Sequence, residues 1–311
     1  MSSQRERSRQ NDFKQRDAAS YDNVVLEFDR FTSRLTAPLA DRMIRASDLK
    51  DGERVLDIGT GTGIVALRAS EAVGASGEVV GIDLSSQMLA QARTRAHEQD
   101  LALRTKFVNM DAENLLFPDK SFDVVFALFS LLHLPDPSRA LSEMYRVLRT
   151  GGRLVIAVGS PPPILSISGT LNRLSRLLEL PSRIQGSLLL APEFLNNLVT
   201  ELIPGDSVEE TQLASAHRNR SGTVPCLVSH AGFKNLHSFW EGYCACLTTA
   251  EEFWDLQRTY SSIARKRLES ASPAVADTVR STFMRQCATV LAKGGRMLYH
   301  YAAFYVVARR A

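Results

Sequence analysis

The run Val55-Leu56-Asp57-Ile58-Gly59-Thr60-Gly61-Thr62-Gly63, followed at once by Ile64-Val65-Ala66-Leu67, constrains this chain more than any other stretch. Aliphatic residues lead to an acid, glycine then takes every second position, and apolar residues resume at helical spacing. The pattern predicts a buried strand, a tight turn and the first turn of a helix. Glycine suits the turn because the backbone reverses sharply there, and because a ligand can approach without meeting a Cβ. The dinucleotide fingerprint G-x-G-x-x-G needs its third glycine where this chain has Ile64. The loop reads as a nucleoside-binding loop that fits NAD poorly.

A second half of the signal follows after roughly twenty residues. Glu78-Val79-Val80-Gly81-Ile82-Asp83 reads as a strand closing on an acid, and Leu84-Ser85-Ser86-Gln87-Met88-Leu89 opens another helix. A carboxylate only accepts hydrogen bonds and can accept two, so Asp83 is suited to a pair of ribose hydroxyls. Lys106-Phe107-Val108-Asn109-Met110-Asp111-Ala112 repeats the form of strand, then acid. Acids at three strand ends on one sheet edge make a cleft for a polar nucleoside.

These residues, with Phe122-Asp123-Val124-Val125 and Arg146-Val147-Leu148-Arg149-Thr150-Gly151-Gly152-Arg153-Leu154, resemble in order the motifs of class I S-adenosylmethionine-dependent methyltransferases. Within that family the chain looks most like the ubiquinone/menaquinone-biosynthesis type and its small-molecule relatives. The likeness covers Tyr21 to Val158 and resumes at Ala231-Gly232-Phe233 and in the last strand; Thr150 stands where the family usually has proline. The resemblance implies that S-adenosylmethionine lies against Asp57, Gly59, Thr60, Gly61, Gly63, Asp83, Leu84, Met88, Asp111, Ala112, Ala127 and Leu128. Asp83 would then serve the ribose and Asp111 the adenine amino group, with the Tyr21-Asp22 region closing over the cofactor.

Composition sets the outer bounds. An apolar fraction of 44% is ordinary for a soluble globular protein, and a net charge of +3 implies no nucleic-acid partner. Cys226, Cys244, Cys246 and Cys287 lack zinc spacing, so no metal is expected and reduced thiols in the cytoplasm are the simpler reading. No apolar run approaches the length of a membrane span, so stable membrane insertion is not expected. Residues 1–17 are polar and charged, and are expected to fray as a disordered tail. Glu6, Asp12 and Asp17 argue against a transit peptide.

From Ala18 onward Tyr21, Val24, Val25, Phe28, Phe31 and Leu35 recur at helical spacing. Residues 18–158 then read as a Rossmann-like core in which strands and helices alternate, which calls for a parallel sheet covered on both faces. The expected fold is α/β: a doubly wound, seven-stranded sheet, six strands parallel and the last antiparallel, completed by residues 223–248 and 294–311. Residues 159–222 and 249–293 are expected to be helical insertions. The first holds a leucine-rich helix with Arg173 and Arg176, and a second helix opened by Pro192; the second holds helices from Phe253 to Leu268 and Pro273 to Leu291. Both leave the sheet at its ligand-binding edge and are expected to form a lid, with Leu171, Leu178, Trp240, Phe253, Trp254 and Tyr260 facing a pocket.

The expected chemistry is in-line methyl transfer to a small, largely apolar or aromatic acceptor. Such a reaction can draw most of its rate from positioning and water exclusion, so the absence of a catalytic triad is no objection. A base is needed only where the acceptor is not already acidic. His133, just past the fourth strand, and Tyr21 are the candidates, with Tyr299, His300 and Tyr301 behind them. A cofactor-binding regulator without catalysis and a nicotinamide oxidoreductase are the competing readings. The acceptor atom stays open, as does the oligomeric state, a homodimer included.

Overall fold

In the computed structural model the described residues are 2–159, 189–190, 194–203 and 223–311. The chain forms two compact units: residues 1–160, 217–241 and 303–311 make the first, and residues 161–216 and 242–302 the second. The second unit takes in most of both expected insertions, and two of its boundaries, 241/242 and 302/303, lie inside the last two long strands.

The first unit holds strands β1 (Arg54–Ile58), β2 (Glu78–Asp83), β3 (Thr105–Asn109), β4 (Phe122–Leu128) and β5 (Leu148–Gly159). It also holds parts of β6 (Lys234–Leu247) and β7 (Arg296–Arg309). The strand order is β3-β2-β1-β4-β5-β7, with β6 also paired to β7. Strands β1 to β5 run parallel, and β7 lies antiparallel to β5 from Arg153↔Arg309 to Gly159↔Ala303. This is the doubly wound sheet expected. A two-residue strand, Leu189–Leu190, is added beside the start of β7.

Side-chain alternation assigns the two faces of the sheet. Leu56, Ile58, Val125, Leu154, Ile156 and Val306 join one buried cluster with Leu141 and Met144 of α6 (Pro137–Val147) and Val224 and Val228 of α8 (Val224–His230). Val55 and Asp57 point to the opposite face, which carries α3 (Ala37–Ser47) and α4 (Ile64–Ala72). There Tyr305 stacks on Phe239, and its hydroxyl donates to Leu39 O at 2.9 Å. Covered faces explain why β1 and β4 are buried along nearly their whole length.

Ser2–Asp22 is a helix, α1, over the segment whose composition suggested a frayed tail. Its last two turns bury Lys14, Asp17 and Ser20. Lys14 pairs from this helix with Asp111 and Glu113. The helical pattern from Ala18 is also interrupted: α2 (Val25–Phe31) begins after a break at Asn23-Val24, and Thr32–Thr36 form a wide π-type turn into α3.

In the second unit, Phe283 of α11 (Pro273–Ala292) packs against Phe194 of α7 (Phe194–Leu202) and against Phe253 and Trp254 of α9 (Ala250–Tyr260). Thr249 caps α9, its hydroxyl accepting from Glu252 N. The single helix expected from Phe253 to Leu268 is instead two. Ser261 interrupts it, its hydroxyl accepting from Ala264 N as cap of α10 (Ser262–Ser270). Phe253 and Trp254 are buried inside this unit, whereas Trp240 packs on Phe304 in the first. The expected helix with Arg173 and Arg176, and the residues Leu171 and Leu178, lie outside the described residues. No described helix is long and apolar enough to cross a membrane.

Candidate functional site

The glycine turn follows β1 in left-handed backbone. Gly59 and Gly61 have φ of +66° and +54°, a region that L side chains seldom adopt. At Gly59 a Cβ would also collide with the Ser130 side chain. Ser130 is held there because its hydroxyl donates to Ile58 O at 2.7 Å. The loop is therefore pinned against the end of β4 with no room for a side chain.

Asp57 lies beneath the turn and is 1% exposed. It accepts from Thr60 Oγ1 at 2.7 Å and from the backbone of Ala66 in the first turn of α4. Burial pushes its carboxyl up from the ordinary 3.8 to about 7, against these hydrogen bonds, which lower it. Asp57 thus braces the loop and the helix start from behind. Thr60 is itself tied to β2, its N–H donating to Ile82 O at 2.9 Å.

Asp83 ends β2 beside the turn. One oxygen accepts from Gly61 N and the other from Ser85 N, both at 2.9 Å. Burial raises its carboxyl above the usual range, the nearby Asp17 adds to the rise, and these N–H groups oppose it. The backbone of Leu84 also favours the ionised carboxylate, and of its roughly four acceptor sites capacity is left for a further donor. Ser85 caps α5 (Ser86–Glu98) by accepting from Met88 N at 3.1 Å, and donates to Asp22 Oδ1 at 2.6 Å. Past β3, Asp111 accepts from Glu113 N at 2.9 Å and from Lys14 Nζ at 2.8 Å. Lys14 also pairs with Glu113 at 2.5 Å, and Glu113 accepts from Asp136 N at 2.9 Å.

The fold brings the candidate bases to the same edge. His133 ends a short turn, Leu131–His133, directly after β4. Tyr21 reaches it from α1 with ring centroids 6.5 Å apart, and meets Phe28 edge-on at 5.8 Å. Asp17 Oδ2 lies 3.7 Å from His133 Nδ1. Tyr299 and Tyr301 belong to the second unit instead, where they pack with Tyr260. Burial holds the Tyr301 phenol far above its ordinary range. Met88 and Ala112 are buried against these loops, Leu84 is half-buried, and Leu128 is nearly buried at the end of β4. Ala127 is fully buried in the sheet core, so its side chain offers the cleft no surface.

Residue patterns missed Lys14, Asp17, Ser85, Glu113 and Ser130. Ser85 alone carried a local signal, as a serine ahead of a helical apolar run. The others meet partners that are distant in sequence. Among the described residues no cluster of His, Cys, Asp and Glu could hold a metal.

Residues 56–156 match the methyltransferase domain family. Over 119 residues the chain is 40% identical to the ubiquinone/menaquinone biosynthesis C-methyltransferase UbiE of Pseudoalteromonas translucida, covering 38% of this chain and 47% of that one. It is 38% identical over 149 residues to the aklanonic acid methyltransferase DauC of a Streptomyces species, covering 48% of this chain and 66% of that one. The match spans about half the length of the UbiE relatives. Among solved structures, the YcgJ protein of Bacillus subtilis shares the fold at a TM-score of 0.52 and 20% identity, over 88% of this chain and 98% of that one. Phosphoethanolamine N-methyltransferase 2 of Haemonchus contortus does so at 0.53 and 19%, over 93% of this chain and 57% of that one.

Proposed function

We propose that this chain is a class I S-adenosylmethionine-dependent methyltransferase that acts on a small, largely apolar or aromatic molecule, a reading supported by the match of residues 56–156 to the methyltransferase domain family. The observation that carries the reading is Asp83, a half-buried carboxylate clamped by Gly61 N–H and Ser85 N–H beside a turn that admits no side chain at Gly59. Its free lone pairs fit two vicinal hydroxyls, and the glycine backbone fits a ligand at close range. Asp111, with 28% of its side chain exposed, retains acceptor capacity for an adenine amino group.

In this reading Gly59, Gly61, Asp83 and Asp111 hold S-adenosylmethionine, with Leu84, Met88, Ala112 and Leu128 at its apolar sides. Bound there, the cofactor supplies an electrophilic sulfonium methyl group. Asp57 and Thr60 keep the loop in shape, and Tyr21 with Phe28 shields the edge from water. His133 accepts the proton that an acceptor hydroxyl or ring carbon must lose. The acceptor class draws on two relatives, one named for ubiquinone and menaquinone biosynthesis and one for aklanonic acid. The small net charge, +3, offers little attraction for nucleic acid.

The test is calorimetric titration with S-adenosylmethionine, S-adenosylhomocysteine and NAD, followed by turnover on a panel of phenols, quinols, carboxylic acids, tRNA and protein, read by mass spectrometry. Binding of the first two with methylation of a small molecule is expected. Heat from NAD alone, or methyl groups only on polymer, would overturn the reading. Cofactor binding without turnover on any acceptor would favour a regulator.

A further inference from the structure

The backbone beneath His133 is firmly placed. His133 N donates to Ser130 O at 3.0 Å, and the Ser130 side chain is tied to β1 through Ile58 O. Its imidazole is 42% exposed, and behind it stands the Asp17 side chain, 12% exposed. Asp17 Oδ2 faces Nδ1 at 3.7 Å, and Tyr21, one helical turn beyond Asp17 on α1, sets its ring at 75° to the imidazole. Asp17 also influences Asp83 electrostatically, so the pair stands near the acid that the proposed function assigns to the ribose.

We propose that Asp17 is a positioning residue for His133: its carboxylate accepts the Nδ1 proton, leaving the Nε2 lone pair to take a proton from the methyl acceptor. This rests on the methyltransferase reading with His133 as base. The acceptor's X–H proton passes to Nε2, and the X–H electron pair becomes the bond to the transferred methyl carbon. The electrons of the broken carbon–sulfur bond stay on sulfur, and the imidazolium later releases its proton to water. A carboxylate on Nδ1 fixes the tautomer and steadies the imidazolium that forms. The separation of 3.7 Å exceeds a hydrogen bond. Catalytic contacts of this kind commonly tighten in the reacting complex. Asp17 sits on α1 whereas His133 follows β4, so docking of the helix decides whether the pair exists.

The experiment uses the full chain with Asp17→Asn, Asp17→Glu and His133→Gln variants, assayed on an acceptor found by the panel. Asp17→Asn is expected to lower kcat about 10–100-fold, with a much smaller change in KM, and Asp17→Glu to restore most of it. A readout independent of turnover is the ¹⁵N spectrum of the neutral His133 ring, assigned by its loss in His133→Gln. The Nδ1–H tautomer is expected in the wild type, with a shift toward Nε2–H in Asp17→Asn. A His133→Gln enzyme with wild-type kcat would overturn the base assignment itself. A slow His133→Gln beside an Asp17→Asn with unchanged kcat and tautomer would overturn only the role of Asp17. Should Asp17→Asn not fold, a wild-type ring found as Nε2–H would overturn it equally.

Discussion

Asp57 and Asp83 end neighbouring strands on one sheet edge, yet their surroundings give them different work. Asp57 is sealed under the glycine turn with its carboxyl raised to about 7 by burial. A raised acid favours the folded state below its unfolded pKa, and that contribution is lost as pH climbs through the folded value. Wild type should therefore lose stability relative to Asp57→Asn as pH rises from about 4 to about 7, as read by urea unfolding at both pH values. An equal difference at the two ends would mean that the carboxyl stays ionised throughout. Asp83 instead is the acid proposed to accept from the ligand. Asp83→Ala leaves Gly61 N and Ser85 N without their acceptor and should weaken S-adenosylhomocysteine binding by about 1–3 kcal/mol, measured by titration calorimetry on folded variant.

Helix α1 is the element whose behaviour departs most from its composition. It is polar, yet Lys14 and Glu113 form a buried pair with 7% and 3% of their side chains exposed. Removing one partner of such a pair costs about 3–5 kcal/mol, since the other charge is left buried. Part of that is offset here, because Glu113 still accepts from Asp136 N. Lys14→Ala should thus destabilise the protein by about 2–4 kcal/mol and speed proteolysis within α1, whereas Lys14→Met with Glu113→Gln should recover much of the loss. Denaturant unfolding of the three proteins gives the answer; a Lys14→Ala as stable as wild type would remove the anchor from the account. The π-type turn at Thr32–Thr36 and the break at Ser261 are local departures of the same kind. In the latter a hydroxyl caps the next helix and competes with continuation of the previous one.

At the scale of the whole molecule the two tryptophans divide between the units, Trp240 beside Phe304 and Trp254 beside Phe283. In a Trp254→Phe variant the remaining fluorescence follows the unit that contains the proposed cofactor site. A ligand at 100 times its Kd stabilises its host by about 2.7 kcal/mol. S-adenosylhomocysteine at that excess should shift the Trp240 unfolding transition upward, and adding Asp83→Ala should reduce the shift. A transition indifferent to the ligand would count against a site in the first unit.

The strand, glycine turn and helix from Val55 to Leu67, the acids at three strand ends and the parallel order of the core were all legible in the sequence. Their signals are local: alternation or helical spacing of apolar residues, and glycine where backbone must turn. That the two insertions belong together was expected from the sheet edge they leave, but the packing that joins them, such as Phe194 on Phe283, was hidden because it links residues far apart in the chain. The docking of α1 was hidden for the same reason. Lys14 meets Asp111 and Glu113 across 97 and 99 positions, and a charge reads as solvated until its partner is known. The sequence alone determined the strand ends and glycine turn at which a nucleoside is proposed to lie. Only the tertiary structure set Asp17 behind His133, because that contact depends on how a polar helix folds back over strand ends that its own residues do not encode.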